Sequence, residues 1–246
     1  MRIVVTYRPF KPESDIHQAL PFDWVGAMTM LADSARRTAG LEVYCLTDET
    51  TQLPVPAFRY RSSESRLMLW IIDAWAQYLA SADFDDDTIL LSPDMLVLGD
   101  LQRHVQVADL GIVLRLDEKF GDVMPLLNGV QFWRQKGRDQ LANFFRIVHA
   151  RASTMPEEMI RWGADTQAML ELLAPLRFGY SFRAGLKVYS YDAATLVRPL
   201  RAVDIRRMDA GRPRKPTTEP IIDFRSMRKA QMARYYETVF GRKGVA

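Results

Sequence analysis

Short apolar runs alternate with longer amphipathic segments in the first half of the chain, and this order predicts an α/β fold. Four runs have the length and composition of buried strands: Ile3–Tyr7, Leu41–Thr47, Ala57–Arg61 and Thr88–Leu91. After the first run, apolar residues recur at steps of three and four from Trp24 to Thr38, which predicts a helix that stops at Gly40. Strands and helices in this order pair in parallel through right-handed crossovers, so neighbouring strand ends should meet on one rim.

The clearest helical period precedes the fourth strand, and Ser65 is its candidate N-cap. Its apolar face comprises Leu67, Trp70, Ile71, Ala74, Trp75, Tyr78 and Leu79. The less regular second half predicts strands at 109–114, 129–133 and 221–224, helices at 139–150 and 165–173, and a C-terminal helix at about 226–240. A basic, proline-rich loop is expected at about 204–220. No repeat or convincing boundary interrupts the chain, so residues 1–246 are predicted to form a single domain.

Composition narrows the classes of function. The chain has 246 residues, 48% of them hydrophobic, which suffices for one sizeable core. A net charge of +3 is too small for a dedicated nucleic-acid binder but is compatible with an anionic small ligand. The single cysteine, Cys45, excludes an internal disulfide and is interpreted as a core residue. The N-terminus does not resemble a signal peptide and no apolar run reaches membrane-spanning length, so a cytoplasmic protein without a transmembrane segment is expected.

One carboxylate stands at a polar break between two apolar strand patterns. Asp94 follows Ser92 and Pro93, directly after the predicted strand that ends at Leu91. Ligands of open α/β sheets bind at the carboxyl ends of the strands, so Asp94 should lie on the binding rim, close to the end of the first strand. The alternative is an ordinary Pro-Asp turn without a ligand. The nearby acidic run 85–87 is interpreted as a solvated turn.

Four segments occur in an order and spacing that resemble a known family. They are Met95–Leu101, Leu127–Trp133, Trp162–Ala168 and Ile221–Lys229. Together they resemble the nucleotide-diphospho-sugar glycosyltransferases of the GT-A fold, of the glycogenin and lipopolysaccharide galactosyltransferase type, over roughly residues 1–240. The resemblance implies a mixed, mostly parallel central sheet flanked by helices. It also implies sugar transfer from a nucleoside-diphosphate sugar to a glycan, lipid-linked or protein acceptor.

The resemblance assigns roles to four polar residues. In the family, the first segment follows an Asp-x-Asp that binds a divalent metal, and a histidine of the last segment completes that site. Asp94 and Asp223 stand at the second acid and at the histidine, so they are the candidate ligands of Mn²⁺ or Mg²⁺, which prefer oxygen ligands. Asn128 and Asp165 correspond to residues near the transferred sugar. Their alternatives are structural: an Asn-Gly turn for Asn128 and a helix N-cap for Asp165.

The remaining contacts to the donor are expected from basic and aromatic side chains. The candidates for the diphosphate are Arg225, Arg228 and Lys229, of which Lys229 matches the family lysine. Thr6, Tyr7 and Arg8 follow the first strand, where GT-A enzymes meet the nucleobase and ribose. Tyr7 could stack on a base, and Arg8 could reach a phosphate or simply anchor the loop. Arg66 begins the amphipathic helix, where the resemblance implies a further donor contact.

Departures from the family pattern leave two hypotheses. Ser92 replaces the first acid, and its hydroxyl could hold a metal-bound water or a ribose hydroxyl without adding charge. Thr166 and Ser226 replace a glutamine and a glycine, although Gln167 could take the place of that glutamine with a one-residue slip. The first hypothesis is an active glycosyltransferase, a hexosyltransferase, with a weak metal or with basic residues in its place. The second is an inactive GT-A-fold protein that binds nucleotides or glycans or acts as a scaffold. A nucleotidyltransferase is disfavoured because 7–12 lacks the glycines of its phosphate loop.

Overall fold

The computed structural model describes residues 1–10, 22–105, 107–115, 125–210, 219–224 and 226–241. The elements of the first half are β1 (Arg2–Thr6), α1 (Trp24–Ala39), β2 (Val43–Thr47), β3 (Ala57–Arg59), α2 (Leu67–Ala80), β4 (Thr88–Leu91), β5 (Met95–Val97), α3 (Gln102–Val105) and β6 (Leu110–Leu114). Those of the second half are β7 (Leu126–Trp133), α4 (Arg138–Ala152), α5 (Glu157–Trp162), α6 (Ala164–Leu173), β8 (Gly179–Arg183), β9 (Leu186–Asp192), α7 (Ala193–Leu196), β10 (Val197–Pro199), α8 (Ala202–Asp209), β11 (Ile221–Asp223) and α9 (Met232–Phe240).

Within these residues, eight strands form the main sheet, in the order β3-β2-β1-β4-β7-β6-β9-β8. The first four are parallel, as the alternation of strands and helices predicts. β7 runs antiparallel to β4 and β6, and β8 runs antiparallel to β9. The predicted fold class, an α/β fold with a mixed central sheet flanked by helices, is therefore confirmed.

A second, three-stranded sheet sits beside the main one and positions the candidate site. Its order is β10-β11-β5, and β11 pairs antiparallel with β5 so that Asp223 lies opposite Met95. The chain thus leaves the main sheet after β4, turns through Ser92 to Asp94, and enters the small sheet. Two segments about 130 residues apart in sequence meet there, and each carries one of the candidate acids.

The core lies on both faces of the main sheet because successive strand residues point to opposite sides. Val4 of β1 packs with α2, α4 and α6, whereas Ile3 and Val5 pack with α1 and the small sheet. Cys45 is fully buried in the second of these layers, as expected for a core residue. The helix ends also follow the sequence: the Asp23 carboxylate accepts from the Gly26 N–H at 2.8 Å, and Gly40 caps α1 with φ of 66°.

Several sequence expectations are corrected. Ser65 is not the N-cap of α2, since Arg66 occupies that position and makes no side-chain cap bond. The strand predicted at 129–133 begins earlier, at Leu126, so the Asn128-Gly129 pair lies in a strand and not in a turn. The expected loop at 204–220 contains most of α8 instead, and its segment 211–218 lies outside the described residues. The C-terminal helix starts as a 3₁₀ turn at Ser226–Gln231 before α9.

Candidate active site

Two buried carboxylates lie side by side at the carboxyl end of β4. Asp94 is 7% exposed and Asp223 is 2% exposed. The antiparallel pairing of β5 with β11 brings them together, and the Phe224 N–H donates to the Asp94 carbonyl at 3.1 Å. Met95, which follows Asp94, therefore pairs with Asp223, and Phe224, which follows Asp223, bonds to Asp94. The convergence that the sequence implied for these two positions is present in the structure.

Basic side chains flank the two acids. Lys229 Nζ lies 3.0 Å from Asp94 Oδ2, and Arg115 Nη2 lies 3.9 Å from Asp223 Oδ2. The Ser92 hydroxyl donates to the other carboxylate oxygen of Asp94. Burial, together with the charge of Asp94, raises the pKa of Asp223 to about 8, although Arg115 and Lys229 act in the opposite direction. The raised pKa of Asp223 means that its charged form is disfavoured there, so an additional positive charge would favour ionisation of the pair.

These residues fit a divalent cation of the hard, oxygen-preferring type. Asp94, Asp223 and Ser92 offer two carboxylates and a hydroxyl. The described residues contain no group of three or more His, Cys, Asp and Glu side chains placed to hold a metal. Mg²⁺ and Mn²⁺ at phosphate-transfer sites commonly use only one or two carboxylates and take their other ligands from water and substrate phosphates. The pair therefore suffices for a metal that binds together with a diphosphate, although the metal assignment itself stays a prediction.

A cavity of about 160 Å³ opens next to the acid pair. Its lining comprises Thr6, Met68, Ile71, Trp75, Leu90, Leu91, Ser92, Pro93, Asn128, Gly129 and Asp165. A Cβ atom at Gly129 would lie 3.0 Å from the Ser92 Cβ and 3.3 Å from the Met95 Cε. A glycine at this position of β7 is therefore explained by the close approach of the turn that carries Asp94.

Asn128 and Asp165 meet at the wall of this cavity through a chain of hydrogen bonds. The Asn128 amide donates to Asp165 Oδ2 at 2.6 Å, and its Oδ1 accepts from Gln131 Nε2 at 2.7 Å. Gln131 Oε1 in turn accepts from the Trp133 indole at 2.9 Å. The chain fixes which way the Asn128 amide faces. Burial raises the pKa of Asp165, while the Thr166 N–H and the Asn128 amide lower it.

The alternative interpretation of Asp165 as a helix N-cap is not supported by the structure. Gly163, not Asp165, is the N-cap of α6, and Asp165 lies within the first helical turn. The residue is partly exposed, and its carboxylate lines the cavity instead of closing the helix end. The helix N-terminus still favours a negative charge at this position.

The three candidate residues at the end of β1, Thr6, Tyr7 and Arg8, lie in three different environments. Thr6 lines the cavity and its hydroxyl accepts from the Trp75 indole at 2.8 Å. Tyr7 is partly exposed at the end of β1, and burial raises its pKa. Arg8 is only 2% exposed and donates to the carbonyls of Pro9 at 2.9 Å and Ser65 at 2.8 Å. The arrangement favours loop anchoring for Arg8 over the expected phosphate contact.

The other basic residues that were predicted to contact the donor differ in their distance from the acid pair and in their partners. Arg66 forms an ion pair with Glu157 of α5. Arg228 is exposed and donates to the carbonyl of Leu200, whose own N–H donates to the Asp223 carbonyl at 3.0 Å. Arg225 lies outside the described residues. Of the three expected diphosphate residues, Lys229 is thus the one that the described structure brings to Asp94.

Sequence reasoning missed three residues around the acids. Arg115 directly follows β6, so a basic residue at a predicted strand end was a usable signal on the same rim. Trp24 and Phe22 pack on Lys229, with ring centroids 4.1 and 5.5 Å from its Nζ. Such cation–π contacts hold the ammonium group in place and leave no sequence pattern. The acidic run at 85–87 lies between α2 and β4 and keeps exposed side chains, as expected for a solvated turn. Asp85 pairs with Arg2, and Asp86 pairs with the N-terminal amine.

The fold of the chain is GT-A-like, and solved structures that share it include glycosyltransferases. The galactosyltransferase LgtC, solved with donor and acceptor sugar analogues, is similar over 99% of this chain and 98% of its own, with a TM-score of 0.55 and 11% identity. The apo-form glycosyltransferase GlyE of Streptococcus pneumoniae TIGR4 gives a TM-score of 0.53 at 12% identity over 96% of this chain. The chain spans 60% of the GlyE length.

At these identities the likeness establishes the fold. No protein-family profile and no curated protein sequence matches the chain. Among the described residues, no helix is both long and apolar enough to cross a membrane.

Proposed function

We propose that the protein is a glycosyltransferase that transfers a sugar from a nucleoside-diphosphate sugar to a glycan, lipid-linked or protein acceptor. The observation that carries the proposal is the meeting of Asp94 and Asp223 on the binding rim of a GT-A-like sheet, beside a cavity walled by Asn128 and Asp165. The fold alone would not support catalysis, because folds host many functions. The conjunction of paired acids, flanking cations and an adjacent cavity supports it.

The acid pair and its cations would bind the diphosphate. The leaving nucleoside diphosphate gains negative charge as the bond between the anomeric carbon of the sugar and the diphosphate oxygen breaks, so the site must offer positive charge at that point. Asp94 and Asp223 would hold a Mn²⁺ or Mg²⁺ ion, which would supply Lewis-acid stabilisation of the diphosphate. Lys229 and Arg115 would donate directly to phosphate oxygens, each as a charge-assisted contact.

The cavity would receive the sugar ring of the donor. Its volume of about 160 Å³ is below the roughly 300–1,000 Å³ of pockets that enclose whole ligands, so it suits one ring more than a complete nucleotide sugar. The Asp165 carboxylate would accept hydrogen bonds from sugar hydroxyls. Asn128, held by Gln131, would keep that carboxylate oriented. Tyr7, at the end of β1, remains the candidate for stacking on the nucleobase.

The test is a ligand screen on the intact chain. The thermal midpoint would be measured with UDP- and GDP-sugars, each with and without Mn²⁺, and release of free nucleoside diphosphate would be followed in the same samples. We expect one nucleotide sugar to raise the midpoint by several degrees, more with Mn²⁺, and to be hydrolysed slowly. Binding without hydrolysis or transfer would instead support the inactive binding module. No shift with any donor would contradict both.

A further inference from the structure

Both oxygens of the Asp94 carboxylate are engaged by side chains of this chain. The Ser92 hydroxyl donates to Oδ1, and the Lys229 ammonium lies 3.0 Å from Oδ2. Because Asp94 is buried, these two partners take the place of most of the water that a carboxylate binds in solution. The acid that is the candidate metal ligand therefore has an internal counterion.

The Lys229 ammonium and a divalent metal ion would compete for Asp94. Mg²⁺ and Mn²⁺ bind carboxylate oxygens directly, at distances shorter than a hydrogen bond. A metal on Asp94 would therefore stand beside the ammonium group, and two cations so close together in a partly buried site repel each other strongly. Metal binding to Asp94 is thus favoured when Lys229 moves away.

Two aromatic rings help to hold the ammonium group at Asp94. The ring centroid of Trp24 lies 4.1 Å from Lys229 Nζ, and that of Phe22 lies 5.5 Å away, both within the reach of a cation–π contact. The two rings contact each other edge-to-face at 4.7 Å. Trp24 is the first residue of α1, next to the N-cap Asp23, so its position is set by an ordered helix end.

The charges described around the acid pair cancel one another when both acids are ionised. Lys229 faces Asp94, and Arg115 faces Asp223. A divalent cation alone would add two positive charges to this balanced group, whereas a diphosphate brings negative charge that compensates them. A diphosphate also offers the ammonium a new partner. Lysine suits such a transfer, because its charge is compact, its stem is flexible, and its side chain is 24% exposed here.

We propose that Lys229 is an exchangeable counterion of Asp94, which keeps this acid from binding a metal ion until a diphosphate draws the ammonium away. Trp24 and Phe22 act as positioning residues that set how firmly the ammonium is held. The inference rests on the proposed function and adds a regulation to that site. Metal ion and diphosphate bind together, and their affinities are linked through the movement of one side chain.

A purely structural ion pair explains these contacts less well. The nearby structural pair, Arg198 with Asp204, has side chains that are only 3% and 2% exposed, and the planar arginine fixes its geometry. The Lys229 side chain is more accessible and carries a flexible charge. Its partner Asp94 also lies beside a second acid, Asp223.

The experiment is calorimetric titration of the full chain with Mn²⁺, first alone and then with UDP or GDP at saturation. Lys229→Met removes the competing ammonium and should tighten the binding of Mn²⁺ alone about tenfold. Trp24→Leu keeps every charge but loosens the ammonium, so it should tighten the binding of Mn²⁺ alone about two- to fivefold. The nucleotide should tighten Mn²⁺ binding about a hundredfold in the wild type and about tenfold in Lys229→Met.

The matched control is Arg228→Met, which removes a neighbouring positive charge that donates to the Leu200 carbonyl. It should leave the affinity for Mn²⁺ within about twofold of the wild type. Unchanged or weaker Mn²⁺ binding by Lys229→Met, unchanged binding by Trp24→Leu, or an equal gain in Arg228→Met would overturn the proposal and leave the proposed function standing. If neither UDP nor GDP binds in the presence of Mn²⁺, both are contradicted. Circular dichroism establishes that each variant is folded.

Discussion

Two buried clusters of acids and bases lie close together in this protein, and they differ in the number of acids that they hold and in how far the pKa of an acid is raised. Arg198 donates to Asp204 Oδ1 at 2.9 Å and to the Tyr235 hydroxyl at 3.3 Å, and the Arg201 N–H donates to Asp204 Oδ2 at 2.9 Å. One acid there faces one base, and both carboxylate oxygens are satisfied.

The second cluster holds two acids, Asp94 and Asp223. Among the described residues, Lys229 Nζ lies 3.0 Å from Asp94 Oδ2 and Arg115 Nη2 lies 3.9 Å from Asp223 Oδ2. The pKa of Asp223 is raised to about 8. A perturbed acid beside a cavity is typical of a functional site, whereas a fully paired cluster is typical of a structural one. The comparison therefore supports a structural role for the first cluster and the proposed ligand binding for the second.

The largest effect should come from breaking the satisfied cluster. Asp204→Asn leaves Arg198 buried at 3% exposure without its charged partner. We expect the free energy of unfolding to fall by about 3–5 kcal/mol, as when one member of a buried ion pair is removed. Urea denaturation of the ligand-free protein measures it. A loss below about 1 kcal/mol would show that this cluster is not the structural one.

The corresponding change in the second cluster should act in the opposite direction. Asp223 has a folded-state pKa raised to about 8 from an ordinary value of 3.8, so the folded state retains a proton that the unfolded chain releases. Stability is therefore lost as pH rises from about 4 to about 8 and is constant above that range. Asp223→Asn removes this penalty and should raise the free energy of unfolding by about 2–4 kcal/mol at pH 8.

The measurement is urea denaturation of wild type and Asp223→Asn across that pH range, without metal or nucleotide. The wild-type curve should decline with pH, and the variant curve should be flatter. A variant less stable than the wild type at pH 8 would mean that Asp223 is compensated like Asp204, and the contrast between the clusters would be lost.

A smaller effect is expected from the hydrogen-bond chain behind the cavity. Gln131→Leu removes the donor that orients the Asn128 amide toward Asp165. We expect kcat for donor hydrolysis to fall about tenfold to a hundredfold, since misplaced polar groups weaken transition-state contacts. Affinity for the free nucleoside diphosphate should be unchanged because the acid pair is intact. Trp133→Phe removes the indole N–H to Gln131 together with part of a fully buried ring, and it should cost less in kcat because Gln131 still donates to Asn128. An equal loss in diphosphate affinity would indicate general damage.

The sequence predicted the parts of this fold that local patterns control. The apolar patterns of α1, α2 and the first four strands each fit one type of element, and Gly40 ends α1 as expected. The Asn128-Gly129 pair was ambiguous because its turn preference is local, while the close approach of Ser92 to Gly129 is tertiary. The hairpin of β8 and β9 was not predicted, since its exposed aromatic rings do not follow the usual burial pattern.

The residues of the candidate site that match the family segments were predicted correctly to lie together. The partners of the arginines on the rim were not predicted. The meeting of Asp94 and Asp223 was expected, and so was Lys229 nearby. The position of Arg115 at a predicted strand end indicated the binding rim, but the order of residues does not say which acid a strand-end arginine will face. Arg8 was expected to contact a phosphate. A basic residue on the rim can instead turn inward, and here the Arg8 side chain donates to backbone carbonyls.

The most direct test of the central claim is the rate of donor turnover by Asp94→Asn, measured as nucleoside diphosphate released from the sugar nucleotide that the screen identifies. The matched control is Asp139→Asn, an exposed acid in the first turn of α4. If Asp94 and Asp223 together bind the diphosphate and its cation, the Asp94 variant should lose about a hundredfold or more in kcat/KM, and the control should retain its rate. Undiminished turnover by Asp94→Asn would contradict the assignment of the acid pair as the donor site.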